Sequence, residues 1–201
     1  MFRPILAGAA IALIATAAAA QNNPPNPRIY GTILAVNTNE FMVQGEDGKV
    51  YTIALDKGSR VVADSKLTAD GIKPGDHFAS DLEKAGDGWR STVGHTQDEP
   101  FGNNALWFRP IQGKPGMMRI LGIVESVTPD AGGARVKVKY DMGELEFQVP
   151  SDITLFHVSF DGPSLLKPNA AVNAVYDEAP DGTKTGRFVT VEKNGDKPIR
   201  D

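Results

Sequence analysis

The chain contains no cysteine, which excludes disulfide bonds and thiolate metal sites. It also lacks an excess of basic residues, because 21 Lys and Arg stand against 25 Asp and Glu, a net charge of −4. Proteins that bind nucleic acid usually carry a basic patch or stripe. We therefore expect no nucleic-acid partner.

Recognisable catalytic motifs are missing as well. The sequence has no Gly-x-Ser-x-Gly nucleophile elbow and no phosphate-binding loop, since its glycines stand at turns. The paired acids Asp98-Glu99 and Asp177-Glu178 are adjacent, so on a strand the two members of each pair point to opposite faces. That arrangement does not suit shared general acid–base work. We expect a non-enzymatic protein that needs no cofactor.

Long apolar runs are absent after residue 20, but one occurs before it. Arg3 is followed by an apolar run over residues 4–17, and Ala18-Ala19-Ala20 precede Gln21. This order of charge, apolar run and small residues is typical of a secretory signal peptide. A retained membrane anchor is the alternative, for which the run is barely long enough. We expect cleavage, export to the periplasm and no integral membrane segment in the mature chain.

What the mature chain does contain is an internal repeat. Residues 28–31 read RIYG, and residues 119–122 read RILG. Further landmarks recur in the same order: Gly48 and Gly143, Pro74 and Pro168, Asp87-Gly88 and Asp181-Gly182. Landmarks that recur in the same order with only a small drift in spacing indicate one structural unit present twice.

Each repeat predicts short strands separated by turn residues, with no long helix. This pattern favours an all-β fold of two tandem small Greek-key barrels, OB-like as the first choice and SH3-like as the alternative. The expected organisation is a signal peptide (1–20), a flexible lead (21–27), an OB-like barrel (28–96), an inter-barrel segment (97–118), a second OB-like barrel (119–193) and a tail (194–201).

The turns and hairpins allow finer predictions. Pro74 and Pro168 each preset the second position of a type II turn, which predicts positive φ at Gly75 and Asn169. Alternating apolar residues also predict the register of the hairpins. The predicted pairs are Phe41 with Ile53 and Val43 with Tyr51 in the first hairpin, and Val138 with Phe147 and Lys139 with Glu146 in the second.

The inter-barrel segment carries more apolar surface than a linker needs. Phe101, Trp107 and Phe108 stand there among Gly, Pro and Asn. The interpretation we favour is that these rings pack between the barrels, because burial of a large aromatic side chain is strongly favourable. The alternative is an exposed platform for a ligand.

A metal site is conceivable at one barrel rim. His77 and His95 lie on strands that should form a hairpin, with Asp98 and Glu99 close by in sequence. Imidazole and carboxylate groups are common metal ligands. The alternative interpretation is a set of solvated polar residues at strand ends.

The doubled unit, the signal peptide, Val149-Pro150 and the Leu166-Lys167-Pro168 turn together resemble a known group. The chain is similar to exported proteins of Gram-negative bacteria that carry two tandem OB-like domains of unknown function. Many members of the group have a His after the last strand of the first barrel, a position that His95 would match. The resemblance implies the fold and the export, and it implies no catalytic residue.

The sequence therefore predicts a periplasmic binding or interaction module that presents loops or an exposed edge to a protein or glycan partner. The alternative is a periplasmic metal-binding protein that uses His77 and His95 with nearby carboxylates. Whether the two histidines approach each other distinguishes these hypotheses.

Overall fold

The computed structural model describes residues 27–98 and 105–199, and within them the chain is all-β. The strands are β1 Arg28–Val36, β2 Glu40–Gly45, β3 Val50–Ala54, β4 Arg60–Lys66, β5 His77–Ala85, β6 Gly88–Gln97, β7 Trp107–Pro110, β8 Met118–Asp130, β9 Gly133–Tyr140, β10 Gly143–Pro150, β11 Thr154–Ser159, β12 Ala171–Glu178 and β13 Lys184–Val191. Two single-turn 3-10 helices, Ala69–Gly71 and Gly162–Leu165, follow β4 and β11. The predicted signal peptide, Glu99 and Phe101 lie outside the described residues.

One closed ring of five strands, ring A, consists of β1, β2, β3, β13 and β12. A bridging pair between Thr185 and Ala54 closes it. Its interior is a cluster of fully buried apolar side chains, among them Ile33 and Phe41 from the first half of the chain and Val189 from the second. Alternation along each strand sends every second side chain into this interior.

A second ring of five strands, ring B, consists of β8, β9, β10, β6 and β5. The pair of Gln148 with Arg90 closes it. Its interior also draws on both halves of the chain, with Phe78 and Leu82 from the first half and Phe147 from the second. The rings of Phe78 and Phe147 stack with their centroids 6.0 Å apart.

The strand pairings differ from the expectation that residues 28–96 and 119–193 each close a barrel of their own. Ring A takes its last hairpin, β12–β13, from the second predicted repeat, and ring B takes β5–β6 from the first. The physical reason lies in β4 and β11, which pair antiparallel with each other. Each of these strands leaves one ring and delivers the hairpin that follows it to the other ring. We call this arrangement the exchange.

The two rings use the same registers at corresponding positions. Gly31 on β1 lies opposite Val172 on β12, and Gly122 on β8 lies opposite Phe78 on β5. Both β1 and β8 have a bulge, between residues 33 and 35 and between residues 124 and 126. Because the ladders are alike, register alone does not decide which ring the last hairpin of each half completes.

The predicted Lys-Pro turns are confirmed. Gly75 has a φ of 95° and Asn169 a φ of 73°. The N–H of Asp76 donates to the carbonyl of Lys73 at 3.1 Å, and Ala170 repeats this bond to Lys167 at 3.2 Å. Gly and Asn are the residues that adopt positive φ at least cost, so the two turns meet one backbone requirement in two ways.

The first hairpin has the predicted register, with Phe41 opposite Ile53 and Val43 opposite Tyr51. The second prediction was wrong, because Lys139 lies opposite Glu144 and Val138 opposite Leu145. The turn there falls at residues 141–142 rather than 142–143. The register shifts by two residues, and an even shift keeps every side chain on its predicted face.

The exchange also creates a continuous sheet between the rings. Strands β6, β11, β4 and β13 are neighbours in that order, so this shared sheet forms a wall of both rings. Val61 on β4 and Leu155 on β11 point into the cores of ring A and ring B. The alternate residues, such as Phe156 and Val158, point to the other side, which we call the outer face. The part of the chain that the structure describes has no apolar helix of membrane-spanning length.

Candidate functional site

The structure describes three of the four residues of the predicted metal site, His77, His95 and Asp98. His77 lies opposite Gln97 and His95 opposite Ala79, so the two histidines are diagonal neighbours on adjacent strands. Asp98 forms an ion pair with His157, at 2.9 Å from Nε2, rather than with either of them. Within residues 27–98 and 105–199, no group of three or more His, Asp or Glu side chains is placed to hold a metal ion.

His157, which the sequence did not single out, joins two strands. Its Nδ1 lies 2.8 Å from the hydroxyl of Thr96, and its Nε2 lies 2.9 Å from Asp98. A hydroxyl, an imidazole and a carboxylate in line have the composition of a nucleophilic triad. Thr96 is 2% exposed, however, so a substrate does not reach its hydroxyl. The three side chains tie β6 to β11.

Phe108 and Trp107 have different environments. Phe108 packs against the core of ring B, with its ring centroid 5.5 Å from that of Trp89 and 5.9 Å from that of Tyr140. Trp107 is half-buried, and the guanidinium of Arg109 lies 3.9 Å from its ring centre. Strand β7 therefore packs on ring B by pairing with β8, rather than between the rings as expected.

The outer face of the shared sheet holds a groove of about 450 Å³. Its apolar wall is formed by Phe156 and Val158 from β11, Val175 from β12 and Phe188 from β13. The rings of Phe156 and His95 stack with centroids 4.9 Å apart. An apolar cavity of this size with a few polar groups is the usual form of a binding site.

Polar side chains line the same groove: Asp64, His95, Asn173 and Thr190, with Arg28 at the β1 side. Asp64 and Asn173 are each 7% exposed and Thr190 is 4% exposed. Burial of a polar group costs free energy unless the group is hydrogen-bonded. The hydrogen-bonding needs of these side chains therefore limit the conformations that they can adopt.

Cross-strand pairing explains why these residues converge. His95 lies opposite Phe156, Asp64 opposite Val158, and Asn173 opposite Thr190. Residues directly opposite each other in a ladder share one face. Strands β1, β4 and β6 come from the first half of the chain and β11, β12 and β13 from the second. The groove therefore depends on the exchange.

Asn173 has an acceptor without a donor among the described residues. Its side-chain oxygen, Oδ1, is buried and has no hydrogen-bond partner there. The side chain of Gln97, two residues after His95, is in the same condition at both of its polar atoms. A buried acceptor that loses its bond to water without replacement costs about 1–3 kcal/mol.

A segment of the chain itself already lies in the groove. Ile199 is half-buried and lines the cavity, and its backbone N–H donates to Oδ2 of Asp64 at 3.2 Å. The groove thus binds the main-chain donor of one residue and has that residue, Ile199, at its wall.

The position in ring B that corresponds to Arg28 and Val175 of the groove is occupied by an ion pair. Arg119 binds both carboxylate oxygens of Asp81, which is 5% exposed. The corresponding pair in ring A is Arg28 with Val175. At this position ring A therefore has an apolar side chain, Val175, where ring B has the carboxylate of Asp81.

No family model, curated protein or solved structure matches this chain. The site is therefore defined by its geometry.

Proposed function

We propose that this protein is an exported, non-enzymatic binding module whose groove on the shared sheet takes an extended peptide segment of a protein partner. The observation that carries the proposal is Ile199, a residue at the wall of the groove whose backbone N–H donates to a carboxylate that lines it. Its hydrogen bond ends on Asp64, a buried carboxylate on the central strand β4.

The chemistry of the groove favours a peptide over a glycan. An extended peptide offers main-chain donors together with side chains on alternate faces, which suits a groove with an apolar wall and buried acceptors. A glycan would need an open aromatic face on which a sugar ring could stack. Here His95 and Phe156 stack on each other, which covers one face of each ring.

The proposal also includes export of this protein to the periplasm. The positive n-region, the apolar run and Ala18-Ala19-Ala20 support a cleaved signal peptide and a periplasmic location. The matched ladder registers of the two rings support a duplicated, OB-like unit as the origin of the fold. In this proposal the duplication supplies the groove, because its wall needs strands from both copies.

Selection of peptides tests the function. A library of linear peptides displayed in many copies would be selected on the mature chain, since multivalent display retains weak binders. Val175→Trp fills the groove, and Thr128→Trp places the same ring at an exposed position on β8. We expect peptides enriched on the wild type to bind the Thr128→Trp variant and to lose at least about tenfold in affinity for Val175→Trp, the factor that 1.4 kcal/mol represents. No enrichment, or binding that is indifferent to Val175→Trp, would contradict the proposed function.

A further inference from the structure

We infer that the C-terminal segment, residues 193–199, is a built-in competitor for the groove, and that the partner peptide is one that places an apolar side chain and a backbone N–H as Ile199 does. The inference rests on the proposed function and adds to it the chemistry of the partner and a control of its access.

The first support is the contact itself. The backbone nitrogen of Ile199 lies 3.2 Å from Oδ2 of Asp64, and Ile199 lines the same cavity as Phe188 and Val158. Pro198 precedes it and has no N–H of its own, so the main-chain donor available at this point is that of Ile199.

The second support is the turn that brings the segment back. After β13 ends at Val191, Asn194 has a φ of 55° and Gly195 a φ of 88°. Lys193 and Asp196 exchange two backbone hydrogen bonds of 3.1 and 2.9 Å across them. Asn-Gly is the residue pair that best adopts a tight turn with positive φ at both central positions. The chain is therefore reversed by local structure, and the reversal directs it to the outer face.

The third support is an anchor at the base of the turn. The ammonium of Lys193 lies 2.7 Å from Oδ2 of Asp161. Asp161 follows β11, so this ion pair holds the start of the segment against the shared sheet. Beyond the turn, Lys197 is exposed and Ile199 is half-buried. The start of the segment is held by the ion pair of Lys193, whereas its end is held by the hydrogen bond of Ile199. We infer that the end can leave the groove while the turn stays in place.

The consequence for binding is a reduction in affinity. A partner that takes the place of Ile199 on Asp64 binds only the fraction of molecules in which the segment has left, so its apparent dissociation constant is its intrinsic one divided by that fraction. Because the segment is covalently attached, its effective concentration at the groove is high. A partner must therefore either bind the groove with higher intrinsic affinity than the segment does or be present at a high local concentration.

The experiment uses the full mature chain and a labelled hexapeptide with the sequence of residues 196–201, measured by fluorescence polarisation. Ile199→Asp removes the apolar side chain and places a carboxylate beside that of Asp64, so it releases the segment. Lys197→Ala, an exposed change in the same segment, is the matched control. We expect the Ile199→Asp variant to bind the hexapeptide at least about tenfold more tightly than the wild type and the Lys197→Ala variant.

Other outcomes separate the two claims. Equal, measurable binding to all three proteins would overturn the competitor and leave the proposed function intact. No binding to any of them would overturn both the peptide chemistry and the competitor.

The double variant Ile199→Asp with Val175→Trp should lose the gained affinity, and retention of that affinity would place the peptide elsewhere. A wild type that runs as a dimer and an Ile199→Asp variant that runs as a monomer would assign the segment to the groove of a second copy, which would overturn the intramolecular contact.

Discussion

At the scale of single residues, Gly31 and Gly122 stand where an added Cβ would collide with the backbone of the next strand of their rings. A Cβ on Gly122 would lie 2.3 Å from Cγ1 of Val138 and 2.4 Å from the carbonyl oxygen of Lys139. The second of these atoms belongs to the backbone and cannot move without disturbing the ladder. The glycines that marked the repeat in the sequence are thus needed for close strand approach.

We predict that Gly122→Ala lowers the free energy of unfolding by about 1–3 kcal/mol, because overpacking a well-filled core forces the backbone to shift. Urea denaturation followed by circular dichroism measures the change. Gly132→Ala is the control, since its nearest neighbouring atom outside the chain neighbours is 3.7 Å away. Equal stability of the two variants would show that the approach at Gly122 is not tight.

Tyr51 and Asp47 permit a test by pH. The phenol of Tyr51 donates to the carboxylate of Asp47, and this hydrogen bond is the main cause that raises the pKa of Tyr51 to about 12. A raised pKa means that the bond contributes stability below the ordinary value near 10 and that this contribution is lost as the pH passes about 12.

Asp47→Asn should therefore lower the pKa of this tyrosine towards its ordinary value. Ultraviolet absorbance of tyrosinate, recorded between pH 9 and 13 on the wild type and the variant, measures it. The chain has four tyrosines, so Tyr51→Phe identifies which part of the titration belongs to Tyr51. An unchanged titration in Asp47→Asn would mean that the hydrogen bond does not form in solution.

At the scale of elements, β7 shows how neighbouring aromatic residues differ in what they contribute. Phe108 contacts Trp89 and Tyr140 at the edge of the ring B core, whereas Trp107 is held mainly by Arg109. Burial of a Phe side chain is worth about 1.5–3 kcal/mol, and a cation–π contact at an exposed site about 0.5–1 kcal/mol.

Phe108→Ala should accordingly destabilise the protein more than Trp107→Ala does. Urea denaturation of both variants gives the comparison, and the free energies should differ by about 1 kcal/mol or more. A larger loss for Trp107→Ala would mean that β7 is fixed through its outer side chain.

The strands themselves were largely predictable, and the reasons are local. Alternation fixed which face of each strand is buried, and Pro with Gly or Asn fixed the turns at residues 73–76 and 167–170. The second hairpin was misplaced by two residues because Lys139 finds a glutamate opposite it in either register, Glu144 or Glu146. Neither charge nor apolar alternation distinguishes registers that differ by two.

At the scale of the whole molecule, the exchange could not be read from the sequence. Thr32 on β1 lies opposite Ala171 on β12, and Ile123 on β8 lies opposite His77 on β5. The two halves present equivalent hairpins, so the local pattern is satisfied whether a hairpin closes its own ring or the other one. The choice is made by β4 and β11, whose pairing is a long-range contact.

The candidate site followed from that same contact. His95 was singled out in the sequence as a metal ligand, yet it lines the groove beside Phe156 of the other half. Asp64, Asn173 and Thr190 gave no signal because each is an ordinary strand residue until β4, β12 and β13 lie side by side. The Asn194-Gly195 turn was the one local feature that could have indicated a segment folded back on the sheet.

The account depends on the exchange, and the absence of cysteine allows a direct test with cysteine pairs. Residues 32 and 171 form a pair that is not hydrogen-bonded, where antiparallel Cα atoms lie about 4.5 Å apart. That spacing is within the range of about 4.4–6.8 Å that a disulfide spans. His77 occupies the corresponding position on β5. Without exchange, Thr32 would therefore lie opposite His77 instead of Ala171.

The decisive measurement is the disulfide content of two double variants after mild oxidation, by thiol titration and by mass spectrometry of a non-reduced digest. We predict that Thr32→Cys with Ala171→Cys forms an intramolecular disulfide in the monomer, while Thr32→Cys with His77→Cys keeps two free thiols. The reverse result, a disulfide between positions 32 and 77 and free thiols at 32 and 171, would show that each half closes its own barrel and would contradict the groove.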